Sequence, residues 1–275
     1  MKFLRYGAPG AEKPGVLDAE GRIRDLSGVV PDLTGEVLAS PPEIAVESLP
    51  LVEGDPRLGI PVAGVGKMVC IGLNYSDHAK EAGLPIPSEP IVFMKALSAL
   101  TGPNDDVVLP RGAQKGDWEV ELGVVIGKRA KYVTEAEALD HVAGYTIVND
   151  VSERHFQAER GGQWTKGKSC DTFGPVGPWV VTADEVPDPQ ALALSCDVNG
   201  EKRQRGTTAS MIFPVAHIIS YLSQMMSLNP GDIIATGTPP GVGSGMKPPQ
   251  FLKAGDVMEL SVEGLGRQRQ RVLAD

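Results

Sequence analysis

Apolar residues in this chain fall mostly in short runs broken by glycine and proline, not at the three-to-four spacing of long amphipathic helices. The runs at 69–72, 91–94, 120–126, 145–149, 179–182, 232–236 and 257–262 are short and rich in β-branched residues, so they predict strands. Ahead of them, 2–6, 15–18 and 22–26 form a further strand set, with Asp18-Ala-Glu-Gly21 as a hairpin connection. Two segments carry helix signals. Thr134-Glu-Ala-Glu137 has the form of a capping box, in which hydroxyl and carboxylate satisfy the free amides of a helix start. Residues 213–226 set Val215, Ile218, Ile219, Leu222, Met225 and Met226 on one stripe, the pattern of a helix laid on a core.

Between about residues 40 and 64 the chain is proline-rich and aperiodic, which predicts a linker. The expected organisation is a small N-terminal β-rich domain and linker, 1–64, before a larger domain, 65–275. Many strands, few helices and no regular βαβ alternation predict an α+β, mainly β chain. A compact β-roll or sandwich with peripheral helices suits it better than a Rossmann or barrel architecture.

Composition narrows the partners. A formal net charge of -9 disfavours nucleic acid, which needs a concentrated basic surface. Cys70, Cys170 and Cys196 are widely spaced and form no CxxC pair, against a disulfide framework or zinc knuckle and in favour of a reducing compartment. The first ten residues lack a signal peptide's apolar stretch, and no window approaches the roughly 18 apolar residues of a membrane span. The expectation is a cytoplasmic protein without membrane attachment.

The candidate chemistry begins in Trp118-Glu-Val-Glu-Leu-Gly-Val-Val-Ile126. Glu119 and Glu121, two apart on a strand, share one face. Side by side in an apolar segment, two carboxylates lose hydration and repel, at a cost of several kcal/mol unless a cation or proton compensates. Asp150 ends the apolar run Gly144-Tyr-Thr-Ile-Val-Asn149 and would hand a third carboxylate to a cleft mouth. Three oxygen anions without His or Cys suit a hard ion, Mg²⁺, Mn²⁺ or Ca²⁺. Read locally, the same pattern fits a pair of solvent-facing glutamates slightly better, since exposed acidic pairs are common. His78 and Glu81, three apart, would share a helical face on which the carboxylate orients the imidazole and raises its basicity, although such a pair is also a common surface feature.

Gly162-Gln-Trp-Thr-Lys-Gly-Lys-Ser169 satisfies the P-loop pattern, but no buried strand precedes it, its interior is bulky, and no helix is expected to receive phosphates there. Gly241-Val-Gly-Ser-Gly245 reads as a tight turn. No nucleophile elbow accompanies a usable His and Asp, against a serine hydrolase.

Several motifs occur together in order: Ile71-Gly-Leu-Asn-Tyr-Ser-Asp-His-Ala-Lys-Glu81, Phe93-Met-Lys95, Asp117-Trp-Glu-Val-Glu-Leu-Gly123, Asn149-Asp-Val-Ser-Glu-Arg154 with Gln157, Gly167-Lys-Ser169, and Thr236-Gly-Thr-Pro-Pro-Gly-Val-Gly243. With them the chain resembles the fumarylacetoacetate hydrolase superfamily across 65–275, and within it bacterial members labelled 2,4-diketo-3-deoxy-sugar-acid hydrolase or ureidoglycolate lyase. The resemblance implies a mixed β-sandwich roll, a homodimer, and a divalent cation (Mg²⁺, or Mn²⁺ or Ca²⁺) held by Glu119, Glu121 and Asp150. It implies a water-activating dyad of His78 and Glu81, and a lid formed by the Gly- and Pro-containing segment Glu81-Ala-Gly-Leu-Pro-Ile-Pro-Ser88.

The expected reaction is metal-dependent hydrolysis of a C–C bond in a 2,4-dioxo acid, giving pyruvate and a second acid, with Lys168 as a cationic donor. Arg154, Gln157 and Thr238 are candidates for gripping substrate, and Tyr75 and Asn74 for shaping the entrance. Ala96 and Cys170 stand where relatives often carry proline and phenylalanine, which bears on pocket shape and not on the ligands. Ureidoglycolate lyase, oxaloacetate decarboxylase or 2-hydroxyhepta-2,4-diene-1,7-dioate isomerase chemistry would use the same site. A non-catalytic metal-stabilised scaffold is the alternative of another class.

Overall fold

The computed structural model describes residues 1–83 and 85–275, so Leu84 of the expected lid lies outside the described residues. Most of the strands fall into two sheets. Strands β1 (Lys2–Tyr6), β2 (Lys13–Leu17), β3 (Ile23–Asp25), β4 (Met68–Gly72), β5 (Ile91–Lys95), β6 (Val120–Ile126), β7 (Val142–Asn149) and β8 (Gly174–Thr182) come first along the chain. They are followed by β9 (Ala193–Val198), β10 (Glu201–Thr207), β11 (Ile233–Ala235), β12 (Val257–Val262) and β13 (Gly266–Ala274). The larger sheet runs β3-β2-β1-β8-β7-β6-β11-β4-β5, with Leu100–Thr101 added beside β8. The second runs β10-β9-β12-β13 and ends on Val107–Leu109.

The second sheet packs on the middle of the first, on β6, β7 and β8, which makes a sandwich. Leu122, Val124 and Ile126 of β6 face the core between the sheets, with Val198, Leu260 and Val262 opposite. Val125 faces the other way, into a second core with Val148, Ile233, Phe3, Leu33 and Leu38. Burial on both faces explains why β6 reads as a continuous apolar run and not an alternating one. Strands β1, β2 and β3 of the N-terminal segment continue the large sheet, because β1 pairs antiparallel with β8 through Phe3 and Val180.

The helices are α1 (Gly35–Ala39), α2 (Ser76–Ala82), α3 (Glu135–Ala138), α4 (Thr165–Lys168) and α5 (Val215–Met225). The capping box at Thr134 opens α3. On α5, Val215, Ile218, Ile219 and Leu222 are buried as the stripe predicts, whereas Met225 is 53% exposed: the last turn has run past the edge of the core. Strands β9, β10 and β13 and helix α1 lie outside the predicted segments, and two further features escaped the apolar pattern. One is the π-type turn His155–Glu159; the other is α4, which lies inside the P-loop look-alike, where no helix was expected. Both are polar and are held by tertiary contacts. Gly167 sits so close to the Glu153 carbonyl that a Cβ would come within 2.3 Å of it. No helix among the described residues is long and apolar enough to cross a membrane.

Candidate active site

The carboxylates come together because β6 and β7 are antiparallel neighbours. Val120 pairs with Asn149 and Glu121 with Val148, and the Asp150 amide donates to the Glu119 carbonyl at 2.9 Å. The residue entering β6 and the residue leaving β7 therefore lie at the same end of the sheet. Glu119, Glu121 and Asp150 each present an oxygen within 4.8 Å of the others, and all three are buried.

Their surroundings differ. Burial alone would raise the Glu119 carboxyl, but the Lys168 and Arg154 charges outweigh it and hold the group down to about 2. Arg154 Nη2 donates to Glu119 Oε1 at 2.6 Å and Lys168 Nζ to Glu119 Oε2 at 2.7 Å. Asp150 is braced from both sides, by Lys95 Nζ on Oδ1 and by Lys168 Nζ on Oδ2 at 2.7 Å. Glu121 accepts the Gly237 amide on Oε2 at 2.8 Å and has no cationic partner among the described residues. Burial, with the charges of Asp150 and Glu119 added, pushes its carboxyl well above the usual carboxylate range. Gly237 can make that contact because its φ of +100° and the close approach of Asn74 leave no room for a side chain.

The cationic side is itself anchored. Asp117 accepts from Arg154 Nε at 2.9 Å, from the Gly243 amide at 2.6 Å and from the Ser244 amide at 3.0 Å. Lys95 also donates to the Val151 carbonyl at 3.0 Å and is 2% exposed. Lys95 and Asp117 were given no role by sequence reasoning, although both stand inside its motifs. The signal that could have found them is charge balance, since three buried carboxylates need more than one buried cation.

His78 and Glu81 lie on α2, with Nδ1 3.1 Å from Glu81 Oε2. Glu81 is held in turn by the Gly241 amide, which donates to Oε1 at 3.0 Å. The glycine-rich turn 241–245 thus presents backbone amides to two of the protein's own carboxylates, Glu81 and Asp117.

His78, Glu119, Glu121, Arg154, Gln157, Lys168 and Thr238 line one cavity of about 220 Å³, and Asp150 lies behind its wall. Gln157 accepts from Arg154 Nη1 at 3.0 Å. Thr238 Oγ1 donates to the Val120 carbonyl at 2.9 Å and accepts from Gln204 Nε2 at 2.7 Å, leaving it only acceptor capacity. Tyr75 does not line the cavity. It is fully buried at the start of α2, its hydroxyl lacks a partner among the described residues, and burial together with the Glu121 charge raises its pKa. Asn74 is likewise behind the wall, with Nδ2 donating to the Thr236 carbonyl at 2.8 Å and Oδ1 accepting from the Phe213 amide at 2.8 Å.

The donor set fits a hard divalent cation. It consists of three convergent, buried carboxylates, one of which lacks a compensating positive charge, with no sulfur or imidazole among them. A second acidic group, Asp18, Glu20 and Glu47, is mostly exposed and already paired with Arg22 and Arg24.

Comparison with known proteins agrees with this geometry. Residues 67–273 match the fumarylacetoacetate (FAA) hydrolase C-terminal family. A 2,4-didehydro-3-deoxy-L-rhamnonate hydrolase from Sphingomonas sp. (strain SKA58) is 63% identical over 273 residues, covering 99% of this chain and 96% of the relative. Among solved structures, a fumarylacetoacetate hydrolase from Exiguobacterium antarcticum superposes with a TM-score of 0.89 at 38% identity over the full length of both chains. A 2-hydroxyhepta-2,4-diene-1,7-dioate isomerase from Mycobacterium marinum gives 0.77 at 33% identity, covering 100% of this chain and 99% of its own. With its fold, its buried acidic triad and this extent of identity, the chain belongs to the fumarylacetoacetate hydrolase family.

Proposed function

We propose that this protein is a divalent-metal-dependent hydrolase that cleaves the C3–C4 bond of a 2,4-dioxo-3-deoxy sugar acid. The six-carbon acid named for the Sphingomonas relative heads the candidates. The observation that carries the reading is that two unlike groups line one small cavity: the imidazole of the His78–Glu81 pair, and Glu119 and Glu121 of the carboxylate triad with Lys168 and Arg154. A cation held by Glu119, Glu121 and Asp150, with Mg²⁺ first and Mn²⁺ or Ca²⁺ as alternatives, would supply Lewis-acid polarisation of a 2-oxo acid.

The chain's own residues account for the rest. With Nδ1 engaged by Glu81, His78 has Nε2 left to take a proton from water while the oxygen adds to C4. The C3–C4 bond then breaks, its electron pair passes into the pyruvate enolate, and C3 takes up a proton. The C4 fragment leaves as the second acid. Lys168 offers a buried cationic donor at the reacting end, and Arg154, Gln157 and Thr238 are placed to orient carboxylate and oxo groups. The homodimer and the reducing, cytoplasmic setting belong to the same reading, and Cys70, Cys170 and Cys196 are free.

The test is a panel of 2,4-diketo-3-deoxy acids, simple acylpyruvates, oxaloacetate and ureidoglycolate, assayed with chelator and with Mg²⁺ or Mn²⁺, with sedimentation for the dimer. Metal-dependent release of pyruvate from the dioxo acids is expected. Oxalate should raise the melting temperature only when metal is present. Stabilisation by metal without turnover of any member would instead favour a scaffold.

A further inference from the structure

The cavity lining has two parts of opposite character. Glu119, Glu121, Arg154 and Lys168 are polar lining residues, and Ile91, Phe93 and Trp164 form an apolar stretch of the lining that meets them at Lys168. Trp164 is seated by two contacts. Its indole lies so close to Gly72 of β4 that a Cβ there would come within 2.4 Å of Cζ3, and its ring meets Phe93 edge-on with centroids 5.4 Å apart. A glycine at the end of β4 is what allows a flat aromatic ring to close this side of the cavity.

The wall also has a direction. On β5, alternate residues share a face, so Lys95, Phe93 and Ile91 step outward from the reacting end at about 7 Å per pair. Lys95 touches Asp150, and Phe93 lies beneath Lys168 Nζ, 5.1 Å from its ring centroid. Trp164 stands one helical turn before Lys168, whose amide donates to the Trp164 carbonyl at 3.1 Å. Four helical residues rise about 6 Å, a length comparable to the run from the 2-oxo group to the last carbon of a six-carbon acid.

We infer that Trp164, backed by Phe93 and Ile91, reads the far end of the substrate and selects a terminal methyl group over a hydroxymethyl group. This rests on the function proposed above, whose first candidate is a 6-deoxy acid, and assigns the selection of that acid's terminal methyl to these side chains. A methyl against this wall loses only water. A hydroxyl there loses its hydration and finds no side-chain partner on Ile91, Phe93 or the indole face.

The test compares kcat/KM for the 6-deoxy acid and its 6-hydroxy counterpart in wild type, Trp164→Ala and Gly72→Ala. The tail-less inhibitor oxalate, with Mg²⁺, reports the reacting end separately. The wild type should prefer the methyl substrate by about ten- to a hundredfold, the range for one group in an apolar pocket. In Trp164→Ala the preference should fall to within about threefold, mainly through the KM of the methyl substrate, with oxalate inhibition kept. Gly72→Ala, which displaces the indole without removing it, should reproduce the loss in weaker form. Equal turnover of both substrates by the wild type overturns the inference, as does a preference that survives Trp164→Ala or a loss of oxalate inhibition in that variant. Absence of turnover of either acid by the wild type counts against the proposed function itself.

Discussion

The carboxylate triad and the His78–Glu81 pair are built in opposite ways. The triad side stands on the ends of two central strands, and its groups other than Glu121 are held by charged partners: Asp150 by two lysines, Glu119 by Lys168 and Arg154, and Arg154 by Asp117. The His78 side stands on a single seven-residue helix, tied down by one ring contact to Glu81 and by Glu81's hold on the Gly241 amide. A cluster of like charges can persist only inside a rigid, compensated frame. A general base needs little frame, and gains from standing on an element that can shift as substrate enters.

The contrast breaks most sharply at Asp150. Asp150→Ala should abolish turnover and leave Lys95 and Lys168 without their shared acceptor, destabilising the fold by about 3–5 kcal/mol, as when one partner of a buried ion pair is removed. Urea denaturation monitored by circular dichroism measures it, and a loss below about 1 kcal/mol would show that this side is less tightly coupled than its contacts suggest.

On the other side, His78→Ala should cut kcat by about a hundred- to ten-thousand-fold while changing stability by no more than about 1 kcal/mol and leaving metal binding in place. Calorimetric titration with Mn²⁺ beside steady-state kinetics separates these effects. Undiminished kcat would remove His78 from the chemistry.

Metal and pH sharpen the contrast within the triad itself. Glu121 is raised by burial and by Asp150 and Glu119, so in metal-free protein its contribution to stability is intact below the ordinary glutamate range and is lost as pH rises through its elevated value. Glu119 has the opposite sign. Its contribution is present above its ordinary value of 4.5 and is lost as pH falls towards about 2. Melting curves with chelator should therefore fall towards alkaline pH, and Mg²⁺ should restore stability most at high pH, with protons released on binding. A Mg²⁺ effect independent of pH would contradict a protonated Glu121. The smallest effect lies away from both groups. Thr134→Ala should cost about 1 kcal/mol of stability through the lost cap, with unchanged kinetics.

Much of the architecture was legible because burial writes itself into the chain. Residues 120–126 read as a buried strand, and the stripe on α5 reads as core as far as Leu222. The glutamate pair was legible as a shared face, but its burial was not, because the same spacing serves an exposed strand. Lys95 was hidden for a related reason: a lysine at the end of an apolar run reads as the point where a strand meets water, whereas here it is 2% exposed against Asp150. Trp164 and α4 were hidden inside a polar, glycine-containing segment whose helicity comes from packing against Glu153 and Gln157, not from its own propensity.

By itself, then, the sequence determined strands β1 to β8 and β11 of the large sheet, where α3 starts, and which carboxylates share a face, since these follow from periodicities of two and 3.6 residues and from local hydrogen bonding. It did not mark β9, β10 and β13, in which polar residues interrupt the apolar pattern. Only the tertiary structure decided that Glu119 and Asp150 meet at one end of the sheet, which residues compensate them, and which stretch of the cavity lining is apolar. Those facts depend on strand register and on side chains brought together from distant parts of the chain, and the cost of burying a charge can be balanced only by neighbours that local pattern does not name.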